Sequence, residues 1–213
     1  LVNDLEVASD FEDDKCLTLF TQKALDWIKA REKNRPFFLY LPFTSPHKPV
    51  IPLEKFRGQG AAGAYGEFMI ETDHHVGQIL RTLDDEKITN NTLVIFTSDN
   101  GPERTWVERS KKYNHQSNGV FREGKRSIYE GGHRVPFVLR WPKKIPANQK
   151  INVSICQTDI LATIADIIGK KLPDNCGEDS NSFLKELLNP QQKKARPPII
   201  HHSSSGRFAI REG

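Results

Sequence analysis

Two short, unbroken apolar runs, Phe37-Phe-Leu-Tyr-Leu41 and Thr92-Leu-Val-Ile-Phe-Thr97, constrain this chain more than any other feature. Runs of that length without polar interruption predict strands covered on both faces, as in a parallel sheet whose crossover helices hide both sides. The segments between them supply helices. Phe20, Ala24, Trp27 and Ile28 fall at helical spacing within residues 13–33, and Lys29, Arg31 and Lys33 gather where a helix C-terminus favours cations. From Tyr65 onward, Phe68, Met69, Thr72, Val76, Ile79, Leu80 and Leu83 recur every three or four residues, predicting a helix of about five turns. A third strand is expected at Pro136-Phe-Val-Leu139, then a helix over residues 158–168 capped by Gly169. Ile199-Ile200 and Phe208-Ala-Ile210 flank a Ser-rich turn, the start of a hairpin. Residues 102–132 are polar and weakly periodic, an unusually long connection for a segment without a task. This order predicts an α/β architecture, a largely parallel sheet flanked by helices.

Composition narrows the function classes. Within 213 residues there is no apolar stretch of the ~18 residues needed to cross a membrane as a helix. The net charge of +4 is dispersed among acidic residues, so no nucleic-acid partner is expected. Cys16, Cys156 and Cys176 are too scattered for a disulfide framework and match no zinc spacing, and are expected to be buried thiols. Leu1 is neither an initiator Met nor the start of a signal peptide, and residues 208–213 stop inside a strand or turn, so both ends are expected to be cut.

In open α/β sheets ligands bind at the carboxyl ends of strands, so the polar residues just past each apolar run are the place to look. His47 follows the first run, between Pro46 and Pro49. Asp99 and Asn100 follow the second. Lys125 and Glu130-Gly-Gly-His-Arg134 precede the third. Asp99 and Asn100 offer hard oxygen ligands suited to Ca²⁺ or Mg²⁺, although Asp-Asn-Gly is also an ordinary turn after a strand. A proline-flanked histidine has little backbone freedom, useful for meeting a substrate oxygen, and a lysine holds an anionic oxygen as a point charge. Taken singly, a loop histidine or lysine is more often a surface residue. Together they suit a tetrahedral oxyanion ester, and the residue types alone do not separate sulfate from phosphate.

The wording of these segments resembles the sulfatases of the alkaline-phosphatase-like superfamily. Phe37-Phe-Leu-Tyr-Leu-Pro-Phe-Thr-Ser-Pro-His-Lys-Pro49 is similar to that family's strand and histidine loop, and residues 65–77 to its following helix. Asn91-Thr-Leu-Val-Ile-Phe-Thr-Ser-Asp-Asn-Gly101 resembles its metal-ligand strand, and Gly124-Lys-Arg-Ser-Ile-Tyr-Glu-Gly-Gly-His-Arg-Val-Pro136 its active-site lysine segment. Gln157-Thr-Asp-Ile-Leu-Ala-Thr-Ile-Ala165 resembles a later helix, so the match covers about residues 35–190. The resemblance implies that Asp99 and Asn100 bind a divalent cation, usually Ca²⁺, and that His47 and Lys125 contact the sulfate and its bridging oxygen. It assigns nothing to His74, His75, His115, His133, His201 or His202.

One family element is missing. Sulfatases use a formylglycine made from the first residue of Cys/Ser-x-Pro-x-Arg, and no Cys or Ser here is followed by that pattern. The resemblance therefore implies residues 1–190 as a partial catalytic domain lacking its N-terminal portion, and residues 191–213 as the start of a C-terminal strand or hairpin region. The chain alone is expected to be inactive, and poorly soluble if an apolar sheet is left open. The expected substrate is a sulfated small molecule or glycan, and the compartment an exported one: periplasm, lysosome or cell exterior. Oligomeric state is left open. The alternatives are a phosphoesterase or phosphonate hydrolase of the same superfamily, and a non-catalytic binder of sulfated glycans through Lys125 and Arg126.

Overall fold

The computed structural model describes residues 11–191 and 196–212, in two compact units. The first comprises residues 11–89 and 102–120, the second residues 90–101 and 121–212.

In the first unit a 3-10 turn, Asp13–Lys15, leads into helix α1, Cys16–Ala30. Its buried stripe is Leu17, Thr21, Ala24, Leu25 and Ile28, the i, i+4, i+7, i+8 pattern of one helix face. Phe20 and Trp27, which the periodicity placed on that face, lie toward solvent, and Trp27 instead meets Phe37 edge to face at 5.5 Å. Leu17 and Ile28 are each 1% exposed, and burying such side chains stabilises by ~1.5–3 kcal/mol apiece. They pack against helix α2, Ala64–Asp85, through a face that includes Phe68, Thr72, His75 and Leu83. Arg31 and Glu86, just past the ends of the two helices, pair at 2.9 Å.

The run from Phe37 to Leu41 is extended but joins no ladder among the described residues. Burial alternates along it, with Phe38 71% and Tyr40 76% exposed, so one face is covered and the other open rather than both hidden. Residues 102–120 are not structureless: they hold helix α3, Trp106–Tyr113, which is too short and too polar to leave an apolar stripe in the sequence.

In the second unit strand β1, Val94–Thr97, pairs with β2, Phe137–Arg140, with Val94 opposite Arg140 and Thr97 opposite Phe137. The pairing is antiparallel. Strand β3, Ile199–His202, and β4, Phe208–Arg211, form the expected hairpin, also antiparallel. The described residues thus hold two two-stranded antiparallel sheets and not the largely parallel sheet that was expected. Apolar runs report which faces are covered, not which way a neighbour runs. Helix α4, Glu130–His133, precedes β2, and helix α5, Asp159–Ile167, ends as predicted at Gly169, which takes φ +65°. Gly169 N–H donates to the Asp166 carbonyl, and Lys170 N–H to that of Ala165.

Helix α6, Leu184–Leu188, completes the unit, and Asp159 ties its parts together. Fully buried, Asp159 accepts from Cys156 N–H (2.7 Å) and Asn181 N–H (2.8 Å) and pairs with the Arg196 guanidinium at 2.6 Å. The cysteines are free, but none is fully buried: Cys16 and Cys156 are half-buried and Cys176 is exposed, correcting the expectation of buried thiols.

Candidate active site

The turn after β1 presents Asp99 and Asn100. Ser98 Oγ donates to the Asn100 carbonyl at 3.1 Å, and the Gln157 amide, from just before α5, donates to the Ser98 carbonyl, so the turn is held from within and from below. Asp99 is exposed. Asn100 commits its Nδ2 to the Gly101 carbonyl at 3.0 Å, which leaves the amide oxygen as its acceptor end. An exposed carboxylate beside an amide oxygen fits a hard cation, and only in part. Among the described residues no group of three or more His, Cys, Asp or Glu could hold a metal, so this pair needs further ligands.

Gly101 then packs against α4. Its N–H donates to the Gly132 carbonyl at 2.9 Å, and a Cβ built on Gly101 would lie 1.8 Å from the Gly131 carbonyl oxygen. Gly131 and Gly132 are as tightly placed on their other side, with a Cβ 2.0 Å from Glu123 O and 2.6 Å from Ser127 O respectively. Three glycines therefore let the Asp99–Asn100 turn and the loop bearing Lys125 approach backbone to backbone, in one unit. Lys125 itself is half-buried. Its loop is closed by Gly131 N–H to the Arg122 carbonyl (2.9 Å) and Ser127 N–H to that of Gly124 (3.1 Å).

His47 belongs to the other unit, on the loop after the extended run. It is exposed, between Pro46 and Pro49, and its N–H donates to the Thr44 carbonyl at 3.0 Å. The ring Nδ1 lies 2.8 Å from the Lys48 carbonyl. A carbonyl only accepts, so Nδ1 carries the hydrogen and the neutral ring keeps its lone pair on Nε2. Helix α2 anchors this loop from several points. The Thr72 and Ser45 hydroxyls are hydrogen-bonded at 2.7 Å, Leu53 N–H donates to Glu71 Oε2 at 2.9 Å, and the Phe43 and His75 rings meet at 6.4 Å.

Glu71 and His75 are buried one turn apart on α2, with Glu71 Oε1 and His75 Nε2 3.6 Å apart and without other partners among the described residues. Burial pushes the Glu71 carboxyl up and the His75 imidazole down. Both shifts favour the neutral forms, consistent with two charges being kept out of a dry helix interface. Neither residue was singled out in the sequence. The visible signal was Glu71, Thr72 and His75 falling on the same face as Phe68 and Leu83, where solvated polar groups have no place.

These observations can be set beside known proteins. The family described as Sulfatase matches residues 11–170 of the chain. An N-acetylgalactosamine-6-O-sulfatase of Bacteroides thetaiotaomicron is 34% identical over 207 residues, covering 95% of this chain and 40% of that protein. Human steryl-sulfatase is 34% identical over 191 residues, covering 90% of this chain and 33% of that protein. A solved structure from work on the metabolism of multiple glycosaminoglycans by Bacteroides thetaiotaomicron superposes with a TM-score of 0.83 at 34% identity, over 95% of this chain and 42% of that one. The chain thus spans well under half the length of these relatives.

Proposed function

The chain belongs to the sulfatase family, and on that premise we propose that the complete protein hydrolyses sulfate esters with this stretch supplying Asp99, Asn100, Lys125 and His47 to the active site. What carries the reading is the glycine seam: Gly101, Gly131 and Gly132 bring the turn with two hard oxygen donors against the loop with the lysine, which is what a tetrahedral oxyanion needs on two sides. Asp99 and Asn100 would hold Ca²⁺ together with ligands from elsewhere in the protein. A bound cation there neutralises developing charge on sulfate oxygens.

The chain's own residues then divide the work. Lys125 holds a non-bridging or bridging sulfate oxygen by its ammonium, half-buried and so less screened than a surface lysine. His47, with its Nδ1–H committed to Lys48, keeps Nε2 for substrate, where it would take the proton of the attacking hydroxyl and return it to the bridging oxygen as that oxygen leaves. The formylglycine precursor motif is absent from these residues, and the nucleophile is assigned to the remainder of the complete protein. The larger, mostly parallel sheet of the family would likewise be completed there, with the extended run at Phe37–Leu41 as one of its strands. Export from the cytoplasm is part of the same proposal, supported by the family. No described helix is long and apolar enough to cross a membrane.

The two relatives differ in their named substrates, a 6-O-sulfated amino sugar and a steryl sulfate. The sugar sulfate is favoured here, because the structure solved in work on glycosaminoglycan metabolism superposes over 95% of this chain at 34% identity. The test is to assay the complete enzyme on an aryl sulfate, N-acetylgalactosamine 6-sulfate and a steryl sulfate, with and without chelator. Sulfate release that stops on chelation and returns with Ca²⁺, with Asp99→Ala raising the Ca²⁺ needed, is the expected outcome. Release of phosphate from aryl phosphate without sulfate release would overturn it.

A further inference from the structure

Lys125 sits in a stretch of backbone that does not hold its shape by local preference. Glu123 and Arg126 have φ of +61° and +75°, left-handed conformations that are unfavourable for non-glycine residues and persist only where the surroundings over-determine them. The loop's described internal bonds run to the Arg122, Gly124 and Tyr129 carbonyls and, through the Ser127 hydroxyl, to Glu123 and from Tyr129 N–H. They leave the carbonyls of Arg126 and Ile128, the side of the turn just after the lysine, to be held by something else.

The β3–β4 hairpin holds them. Ser204 N–H, in the hairpin's turn, donates to the Arg126 carbonyl at 3.1 Å. His201, on β3 and 73 residues beyond Ile128, places Nε2 3.1 Å from the Ile128 carbonyl. Since that oxygen only accepts, Nε2 carries the hydrogen. The His201 ring also meets the His133 ring edge to face at 4.5 Å, at the end of α4, and Arg211 of β4 pairs with Glu130 at its start. One hairpin thus grips both flanks of the lysine loop, through backbone carbonyls on one side and α4 on the other.

We propose that the β3–β4 hairpin is the positioning element of Lys125, with His201 as its positioning residue acting through the Ile128 carbonyl. His201 does not touch substrate. It fixes the left-handed turn from which the lysine projects, so that losing its N–H loosens the ammonium's placement while leaving the ammonium present. This rests on the reading of Lys125 as a sulfate contact, and the experiment separates the two.

In the complete enzyme, His201→Phe keeps a ring against His133 and deletes the donor, whereas His201→Gln keeps an N–H at the side chain's end. We expect kcat/KM on a sulfate ester to fall about tenfold or more in His201→Phe, the scale on which small misplacements act, with part of the loss recovered in His201→Gln. In a Lys125→Ala background the His201→Phe loss should vanish, because a group acting through the lysine has nothing left to position. Ile200→Thr, whose side chain is 70% exposed on the same strand, is expected to leave activity unchanged. Losses that multiply between His201→Phe and Lys125→Ala would overturn the proposal. Hydrogen exchange gives a readout independent of turnover: the amides of Ser127 and Gly131 should exchange faster in His201→Phe, with α5 unaffected. Unchanged protection at those amides would overturn the positioning role even if activity fell. If the parent enzyme cleaves no sulfate ester, the functional reading fails, and the exchange measurement still decides whether the hairpin holds the loop. Should His201→Phe fail to fold, His201→Met, smaller and likewise unable to donate, takes its place in both measurements.

Discussion

Replacing Gly101 by alanine exchanges a hydrogen for a methyl group in a place with no room for it. The new Cβ would lie 1.8 Å from the Gly131 carbonyl oxygen, 2.8 Å from the Gly131 carbonyl carbon and 3.1 Å from Gly132 Cα. All three are main-chain atoms, so no side chain can swing aside. The two backbones must part by more than an ångström, and the 2.9 Å bond from Gly101 N–H to the Gly132 carbonyl is lost with the movement. That bond contributes ~0.5–1.5 kcal/mol, and overpacking a tight contact typically costs ~1–3 kcal/mol more. The functional cost should exceed the structural one. Asp99 and Asn100 lie immediately before Gly101, and Lys125 is carried by the loop on the far side of the seam, so the Asp99–Asn100 turn and the lysine move apart. Displacements of about 1 Å in a catalytic constellation cost on the order of 100-fold in rate. The assay is sulfate-ester turnover by the complete Gly101→Ala enzyme across a Ca²⁺ titration, alongside its melting temperature. A folded variant with parental kcat/KM and parental Ca²⁺ requirement would refute the argument that this seam sets the site.

Three other outcomes follow from the packing. Glu71 has its folded pKa raised by burial, so its contribution to stability is present at low pH and is lost as pH rises through the folded value. Glu71→Gln should therefore gain stability relative to the parent as pH rises, and a melting-temperature gap that stays constant across pH would contradict this. His75 is shifted the other way by burial, so its contribution is present above its unfolded pKa and lost as pH falls through the depressed folded one. Its replacement by glutamine should flatten the acid limb of the same profile. Asp159→Ala strands the half-buried Arg196 guanidinium and two backbone N–H groups at once, and breaking a buried pair costs up to about 3–5 kcal/mol. A melting temperature within a degree of the parent's would show that Arg196 finds another partner.

The helices were largely legible in the sequence, because a 3.6-residue stripe and its caps are local: α2, α5 with Gly169, and the β3–β4 hairpin fall close to where patterning put them. The sheet was not. Strand direction depends on a partner that the apolar run does not name, and β1 pairs with β2 in the sense opposite to the one its composition suggested. The candidate site residues were proposed from type and resemblance, and the structure puts Asp99, Asn100 and Lys125 in one unit and His47 in the other. What sequence reasoning missed is what holds them. Gly131-Gly132 was visible only as part of the Glu130–Arg134 segment, and its use is close approach. His201 and Ser204 act across tertiary distance, where residue spacing carries no signal, and Glu71 and Thr72 were marked only by falling on the apolar face of α2.

The extended run at Phe37–Leu41 has a consequence in effective concentration. Its open face and unladdered backbone form a pairing edge. A strand covalently tethered nearby meets such an edge at about millimolar effective concentration, whereas separate copies at micromolar levels meet it far less often. If the run is a strand of the larger sheet proposed for the complete protein, the safeguard against self-association is one of connectivity: the edge stays private as long as the strand that pairs with it is on the same chain. Cutting the chain into separate pieces would remove a thousandfold kinetic advantage, to an order of magnitude, without changing a single residue in contact with solvent.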